Sequence, residues 1–337
     1  MGKPLASGGD SDGAVGMACA SRPARRRRLS QPRRSRPWQS RKAKEERHMA
    51  GEKLNGRVAI VTGAGSRRGI GRCVALGLVR AGAKVVLTDV NGELLDRNVA
   101  EANAIGGDGS AIGVVADVTD VQAVREAVGR GMDAFGGLHI VVNNAGITAS
   151  TLSLGQGGAG GDRTWRVPPA NFARVMDINV NGAFNLLSAT VDHLVGQGWG
   201  RIIGITTNLE TMVAPRETPY GPSKAAHEAL VATLAQELAG TGVTANAVLP
   251  GGDGPTDTDQ VALLMTSPGF AAAMAARPTM VSPDVMTAPC VWLASDEADG
   301  FTNQRIVGNR WDESLPLPAR LAQAAAPAAW QQIAPRR

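Results

Sequence analysis

Residues 58–71 read VAIVTGAGSRRGIG. Val58–Thr62 is a short β-branched run that passes straight into a turn holding Gly63, Gly69 and Gly71, and a helical pattern follows. A strand, a glycine turn and a helix N-terminus in that order put backbone N–H groups and the positive end of a helix dipole where a pyrophosphate can sit. The three glycines let such a ligand approach the backbone. A tight strand-to-helix connection would need much the same residues, so the surrounding sequence has to decide.

Outward from this turn the same unit repeats. Val58–Thr62, Lys84–Thr88, Ala111–Val115, His139–Asn143, Arg201–Thr206 and Thr244–Leu249 read as strands, with a seventh at Gln304–Val307. Between them Gly71–Ala81, Glu93–Ile105, Val121–Phe135, Asn171–Val195 and Ser223–Ala239 read as helices, and Gly82 and Gly240 stand where helix C-termini favour glycine. Alternating strands and helices predict an α/β fold, a single doubly wound Rossmann domain with a parallel sheet of about seven strands, over residues 49–310. Ser153–Gly161, nearly all glycine and small residues, reads as a flexible loop, and residues 311–337, rich in Pro and Ala, as a C-terminal tail.

Asp89 ends the second strand, 18 positions after Gly71. An acidic residue there accepts hydrogen bonds from the adenosine ribose and repels a 2′-phosphate, which favours NAD over NADP. Arg67 and Arg68, inside the turn, read either as partners for a 2′-phosphate, which keeps NADP open, or as solvated loop arginines.

The formal charge of +5 is uneven. Residues 1–48 hold 13 Lys+Arg against 4 Asp+Glu, and the rest holds 22 against 26. A mildly acidic body offers no basic face to nucleic acid. The first 48 residues lack any core-forming period and are expected to be disordered. They read as an upstream extension before a start at Met49, with a nucleic-acid arm or a transit peptide as the sharper alternatives. Cys19, Cys73 and Cys290 are odd in number and widely spaced, as free thiols in a reducing, cytoplasmic compartment would be. The longest apolar runs, such as Ile202–Ile205, are strand-sized, so no membrane span is expected. His139, His193 and His227 do not cluster and read as packing or surface residues, and no metal site is predicted.

With these motifs in view, residues 53–308 resemble the short-chain dehydrogenase/reductase family. TGAGSRRGIG, 62–71, looks like its cofactor turn with two residues added, which implies cofactor contacts at Gly63, Ser66, Arg67, Arg68, Gly69 and Ile70. Asp117 and Val118 resemble its adenine-contacting pair. NNAG, Asn143–Gly146, resembles its sheet-stabilising motif and carries Asn144, Ala145 and Gly146 to the cofactor. Asn179 in DINVNGAF matches its helix asparagine, Tyr220 and Lys224 form its YxxxK, and Pro250, Gly251 and Thr256 resemble its nicotinamide-side turn. Thr207 stands where most members carry serine, 13 residues before the tyrosine. The stretch from Gly146 to Asn179 looks about ten residues longer than usual, and VGNRW, 307–311, replaces the usual end of the last strand.

Tyr220 and Lys224, four apart on a helix, point from one face on successive turns. An ammonium beside a phenol stabilises the phenolate, so Lys224 is expected to lower the tyrosine's pKa. The resemblance implies that Tyr220 exchanges the proton, that Lys224 also holds the nicotinamide ribose, that Thr207 polarises the carbonyl and that Asn179 holds a proton-relaying water. The reaction expected is ketone/alcohol interconversion by hydride transfer in a dimer or tetramer. Its interface would lie on helices Asn171–Val195 and Ser223–Ala239, with Ala225, Ala229, Ala232 and Leu238 offering a small apolar surface. The competing reading is a catalytically idle dinucleotide-binding sensor or scaffold, for which a Tyr/Lys pair is not required.

Overall fold

The structure is a computed structural model describing residues 53–152, 163–252, 254–266, 268–275 and 280–328. The expectations for residues 1–48 and for Ser153–Gly161 lie outside the described residues.

Strands β1 (Val58–Thr62), β2 (Lys84–Asp89), β3 (Ala111–Val115), β4 (Ile140–Asn143), β5 (Gly200–Ile205), β6 (Val243–Leu249) and β7 (Gln304–Val307) form one parallel sheet in the order 3-2-1-4-5-6-7. Winding reverses between β1 and β4, so a crevice opens where the glycine turn leaves β1. The strands read as near-continuous apolar runs because both faces are covered. Along β1, Ala59 and Val61 enter one core and Val58 and Ile60 the other.

Helices α1 (Ile70–Arg80) and α2 (Gly92–Gly106) pack on the first face with a later helix, Thr287–Leu293, through Val74, Leu78, Leu95, Cys290 and Leu293. Helix α3 (Val121–Phe135) covers the second, through Val124 and Val128, with two helices described below. Asn91 and Asp120 cap α2 and α3, each accepting from the backbone N–H groups that the first turn leaves free. A truncation such as Leu78→Ala, at a fully buried site, is expected to cost about 2–5 kcal/mol.

Three features depart from the sequence reading. The segment expected as one helix, Asn171–Val195, is α4 (Pro169–Met176), a π-turn over Asp177–Asn181, and α5 (Gly182–Gly196). The helix expected at Ser223–Ala239 begins earlier, as α6 (Tyr220–Glu237), so Tyr220 is its first residue. Among the described residues the sheet has eight strands: the C-terminal segment contributes a helix, Leu317–Ala324, and β8 (Ala325–Pro327), antiparallel to β7. Trp311, 9% exposed, helps seat this segment, its ring 5.3 Å from that of Trp292. The short β8, ending in a proline, closes an edge that would otherwise offer a bare ladder.

Candidate active site

The glycine turn is tied down by side chains that bond its backbone. Asn144 Nδ2 donates to the carbonyls of Thr62 and Gly63 at 2.8 and 3.1 Å, and Thr62 Oγ1 accepts from the N–H groups of Asn144 and Ala145. Asn98, absent from the sequence reading, donates to the carbonyls of Ala64 and Ser66. Side chains would not fit here. Gly63 has φ +66°, and a Cβ on it would lie 2.9 Å from Asn144 Nδ2. One on Gly65 would lie 2.6 Å from the Asp89 side chain, and one on Gly71 would overlap the Gly63 carbonyl.

Helix α1 starts at Gly69 without a side-chain cap, and Ser66 Oγ in the turn is buried without a partner. An uncapped helix start, an orphaned hydroxyl and a cradle that any Cβ would fill fit a pyrophosphate-bearing dinucleotide.

Asp89 turns its carboxylate onto this turn, accepting from Gly65 N at 2.8 Å and Asn91 N at 3.0 Å. Arg68 points elsewhere, pairing with Asp257 at 2.9 Å and Asp259 at 3.8 Å beyond β6. The backbone N–H groups of Arg67 and Arg68 donate to Asp259, and the N–H of Asp259 donates to the carbonyl of Arg68. Arg67 and Arg68 thus tie the turn to the segment after β6. Asp117 accepts from Thr119 and from Arg174 on α4; burial opposes its charge, but these hydrogen bonds prevail and hold its carboxyl below the ordinary range. Val118 packs beneath Gly182. On the far side of the crevice, Gly251 has φ +74° and adjoins Asn309, whose N–H donates to the Pro250 carbonyl, and Thr256 bridges Val281.

The structure brings Asn179, Thr207, Tyr220 and Lys224 together at the C-terminal ends of β4 and β5. Tyr220 is half-buried, and the Thr207 side chain lies near enough its phenol to favour the phenolate. Lys224 is buried and donates from Nζ to the Ile205 carbonyl at 2.8 Å. The π-turn aims Asn179 inward, a use to which such bulges are often put. Its side chain accepts from Ile147 N, donates to the Ile147 carbonyl, and donates to Ser223 Oγ, which donates to the Tyr220 carbonyl. A Cβ on Gly146 would lie 3.2 Å from both Asn179 Oδ1 and Lys224 Nζ, so only glycine leaves the space between them.

The electrostatics differ from the expectation that Lys224 lowers the tyrosine pKa. Burial and then Glu217 push the Tyr220 phenol up to about 12, against the hydrogen bond from Thr207, while burial brings the Lys224 ammonium down to about 8. The ammonium is spent on the Ile205 carbonyl, and the phenol answers to Thr207 and Glu217. His227, one turn from Ser223, is fully buried; burial and then Lys224 hold its imidazole neutral, down to about 3. Burial also raises the Cys73 thiol, to about 12, and that of Cys290, so neither is an activated nucleophile.

A family model described as enoyl-(acyl carrier protein) reductase matches residues 63–309. A short-chain type dehydrogenase/reductase of Picea abies is 39% identical over 262 residues, covering 75% of this chain and 91% of the relative. A 3-oxoacyl-(acyl-carrier-protein) reductase of Thermotoga maritima is 30% identical over 254 residues, covering 75% and 96%. Among solved structures, an NAD+-bound xylitol dehydrogenase superposes with a TM-score of 0.63 at 28% identity, covering 74% of this chain and 96% of that one. Fold and matches together define an oxidoreductase on a doubly wound nucleotide-binding sheet. The chain belongs to the short-chain dehydrogenase/reductase family, whose members use NAD(P)(H). Among the described residues, no helix is long and apolar enough to cross a membrane.

Proposed function

We propose that this protein interconverts a secondary alcohol and a ketone, with NAD(H) preferred and Tyr220 as the proton-exchanging group. The observation carrying the reading is that Tyr220 and Lys224 stand one turn apart on one helix face beside Thr207, with Lys224 Nζ and Asn179 closing on Gly146. Bound nicotinamide supplies or takes the hydride. The phenol, protonated at neutral pH, gives its proton to the carbonyl oxygen in reduction and recovers one in oxidation. Thr207 directs its hydroxyl to the same oxygen, and Lys224, beside Gly146, faces the place where a nicotinamide ribose would lie. Asn179 holds the backbone of Ile147 and the start of α6, and so sets the walls within which a proton-relaying water would sit.

Preference for NAD follows from charge. Asp89 sits at the turn with its carboxylate inward, and Arg68, the candidate partner for a 2′-phosphate, is occupied by Asp257 and Asp259. Two relatives carry names that point to a 3-oxoacyl group and to xylitol, so ethyl acetoacetate and xylitol are apt first substrates. Assembly as a dimer or tetramer is in keeping with Phe172 on α4 and Phe184 on α5, which are 42% and 56% exposed in the protomer. Ala225 and Ala229 remain half-buried candidates for that interface, whereas Ala232 and Leu238 are buried within the protomer. The buried free thiols of Cys73 and Cys290 accord with a reducing cytoplasm.

The test is initial rates on both compounds with both cofactor pairs, for wild type and Tyr220→Phe. The variant should lose at least about 10²-fold in kcat with little change in cofactor Kd, and the wild type should have the higher kcat/KM with NAD(H). Wild-type turnover in Tyr220→Phe would remove the assignment, and dinucleotide binding with no turnover dependent on Tyr220 would favour an idle binder.

A further inference from the structure

The helix that carries Tyr220 and Lys224 has a third polar group on the same face. Tyr220, Lys224 and Glu228 follow one another at intervals of four, each one turn beyond the last. Glu228 is 0% exposed, and Arg305 on β7, 5% exposed, brings its Nε to 3.6 Å from the carboxylate. Both charges are out of water, where each would be costly alone.

Their remaining contacts fall on one short piece of chain. Lys224 Nζ donates to the carbonyl of Ile205, Thr206 Oγ1 donates to Glu228 Oε2 at 3.0 Å, and Arg305 Nη2 donates to the carbonyl of Thr207 at 2.8 Å. Three successive residues at the end of β5 are therefore held by three charged side chains. The sheet ladder reaches only as far as Ile205 opposite Val248, with Thr206 N donating to the Val248 carbonyl. Thr207 lies one residue past that support, and the reading given above needs its side chain held beside Tyr220.

We propose that Arg305, anchored by Glu228, is a positioning residue that fixes the backbone of Thr207 and thereby aims the Thr207 hydroxyl at Tyr220. A guanidinium suits the task because its planar fork fixes the angle between the donor facing the carboxylate and the donor facing the carbonyl. A misplacement of about 1 Å in a reacting group can cost on the order of 10²-fold in rate, so a brace one residue beyond the sheet acts directly on turnover. The inference rests on the assignment of Thr207 and Tyr220 given above.

The test uses Arg305→Met/Glu228→Gln, which removes both buried charges at once and leaves an acceptor for Thr206. Thr207→Val is measured beside it. Rates are taken on whichever of ethyl acetoacetate and xylitol the wild type turns over faster. A second readout needs no substrate: Tyr220 is the only tyrosine in the chain, so [13Cζ]tyrosine labelling gives one NMR resonance that reports on the surroundings of its phenol, Thr207 among them. The double variant should fold, lose roughly tenfold to 10²-fold in kcat with cofactor KM unchanged, and move the Tyr220 resonance in the direction that Thr207→Val moves it. A folded double variant with wild-type kcat and an unmoved resonance overturns the inference; if Thr207→Val is impaired in the same experiment, the assignment of Thr207 survives. Wild-type behaviour in both overturns both. If the Met/Gln pair does not fold, Arg305→Gln/Glu228→Gln, whose amides can bond to each other but whose residue 305 is too short to reach Thr207, is read by the same criteria.

Discussion

At the glycine turn after β1, the chain is held by amides. Asn98 and Asn144 donate to its carbonyls, Asp89 receives one of its N–H groups, and the glycines leave no room for side chains. At the end of β5 the chain is held instead by buried charges, with Lys224, Glu228 and Arg305 each gripping one of three consecutive residues. A turn whose backbone must lie bare to a ligand needs space, so it writes itself into the sequence as glycine between a strand and a helix. The side chains that hold either region are delivered by the fold from afar, 82 positions separating Thr62 from Asn144 and 98 separating Thr207 from Arg305, and only the glycines of the first leave a local trace.

The sharpest way to break that contrast is to damage each region and compare kcat with cofactor affinity. Lys224→Ala removes the group on the Ile205 carbonyl and the one facing the ribose position, so kcat should fall by at least about 10²-fold and cofactor Kd should rise with it. Steady-state rates and titration of NADH fluorescence measure the two effects; a change in affinity alone would mean that Lys224 serves the cofactor region only.

Gly71→Ala attacks the other region. Its Cβ meets the Gly63 carbonyl and lies 2.6 Å from Asn144 Nδ2, so the turn must shift, at a cost of about 1–3 kcal/mol. Urea unfolding should show that loss and cofactor Kd should worsen, while kcat at saturating cofactor stays near wild type. Unchanged stability and affinity would mean that the turn has slack the glycine spacing does not suggest.

His227, on the helix that carries Tyr220 and Lys224, makes stability depend on pH. Its imidazole has a pKa of about 3 in the fold against an ordinary 6.5, because burial and Lys224 disfavour its charge. The unfolded chain therefore binds the extra proton between those values, so the contribution to stability is present above about pH 6.5 and lost as pH falls toward 3. His227→Leu should flatten the loss of urea midpoint between pH 6.5 and 4; an unaltered acid slope would show that other groups set it.

The smallest effect belongs to Arg68→Ala. Its side chain is about half exposed and its ion pairs with Asp257 and Asp259 are solvated, so about 1 kcal/mol or less should be lost, and less in high salt. A loss above about 2 kcal/mol in denaturant melts would mean that the tie between the turn and the segment after β6 carries real structure.

Legibility followed the same divide. The borders of β1, β3 and β7 and of α3 were readable because periodicity and turn residues are local properties. Tyr220 and Lys224 were readable because four residues make one helical turn. Glu228 repeats that spacing once more, yet a carboxylate on a helix reads as a solvated face until its burial is known. Asn171–Val195 gave no sign of its π-turn, since one extra residue in a helix leaves the composition untouched, and that bulge is what turns Asn179 toward Ile147 and Ser223.

By itself the sequence determined the alternation of strands and helices, the place of the glycine turn, and a phenol and an ammonium on one helix face. All of these depend on residues within a few positions of one another, where steric and hydrogen-bonding rules act directly. Only the tertiary structure decided that the C-terminal segment adds an antiparallel eighth strand, that Arg68 turns away to Asp257 and Asp259, that the Tyr220 phenol is raised and not lowered, and that Arg305 and Glu228 meet behind Thr207. Those outcomes depend on which distant groups share a desolvated space, and chain neighbours carry no record of that.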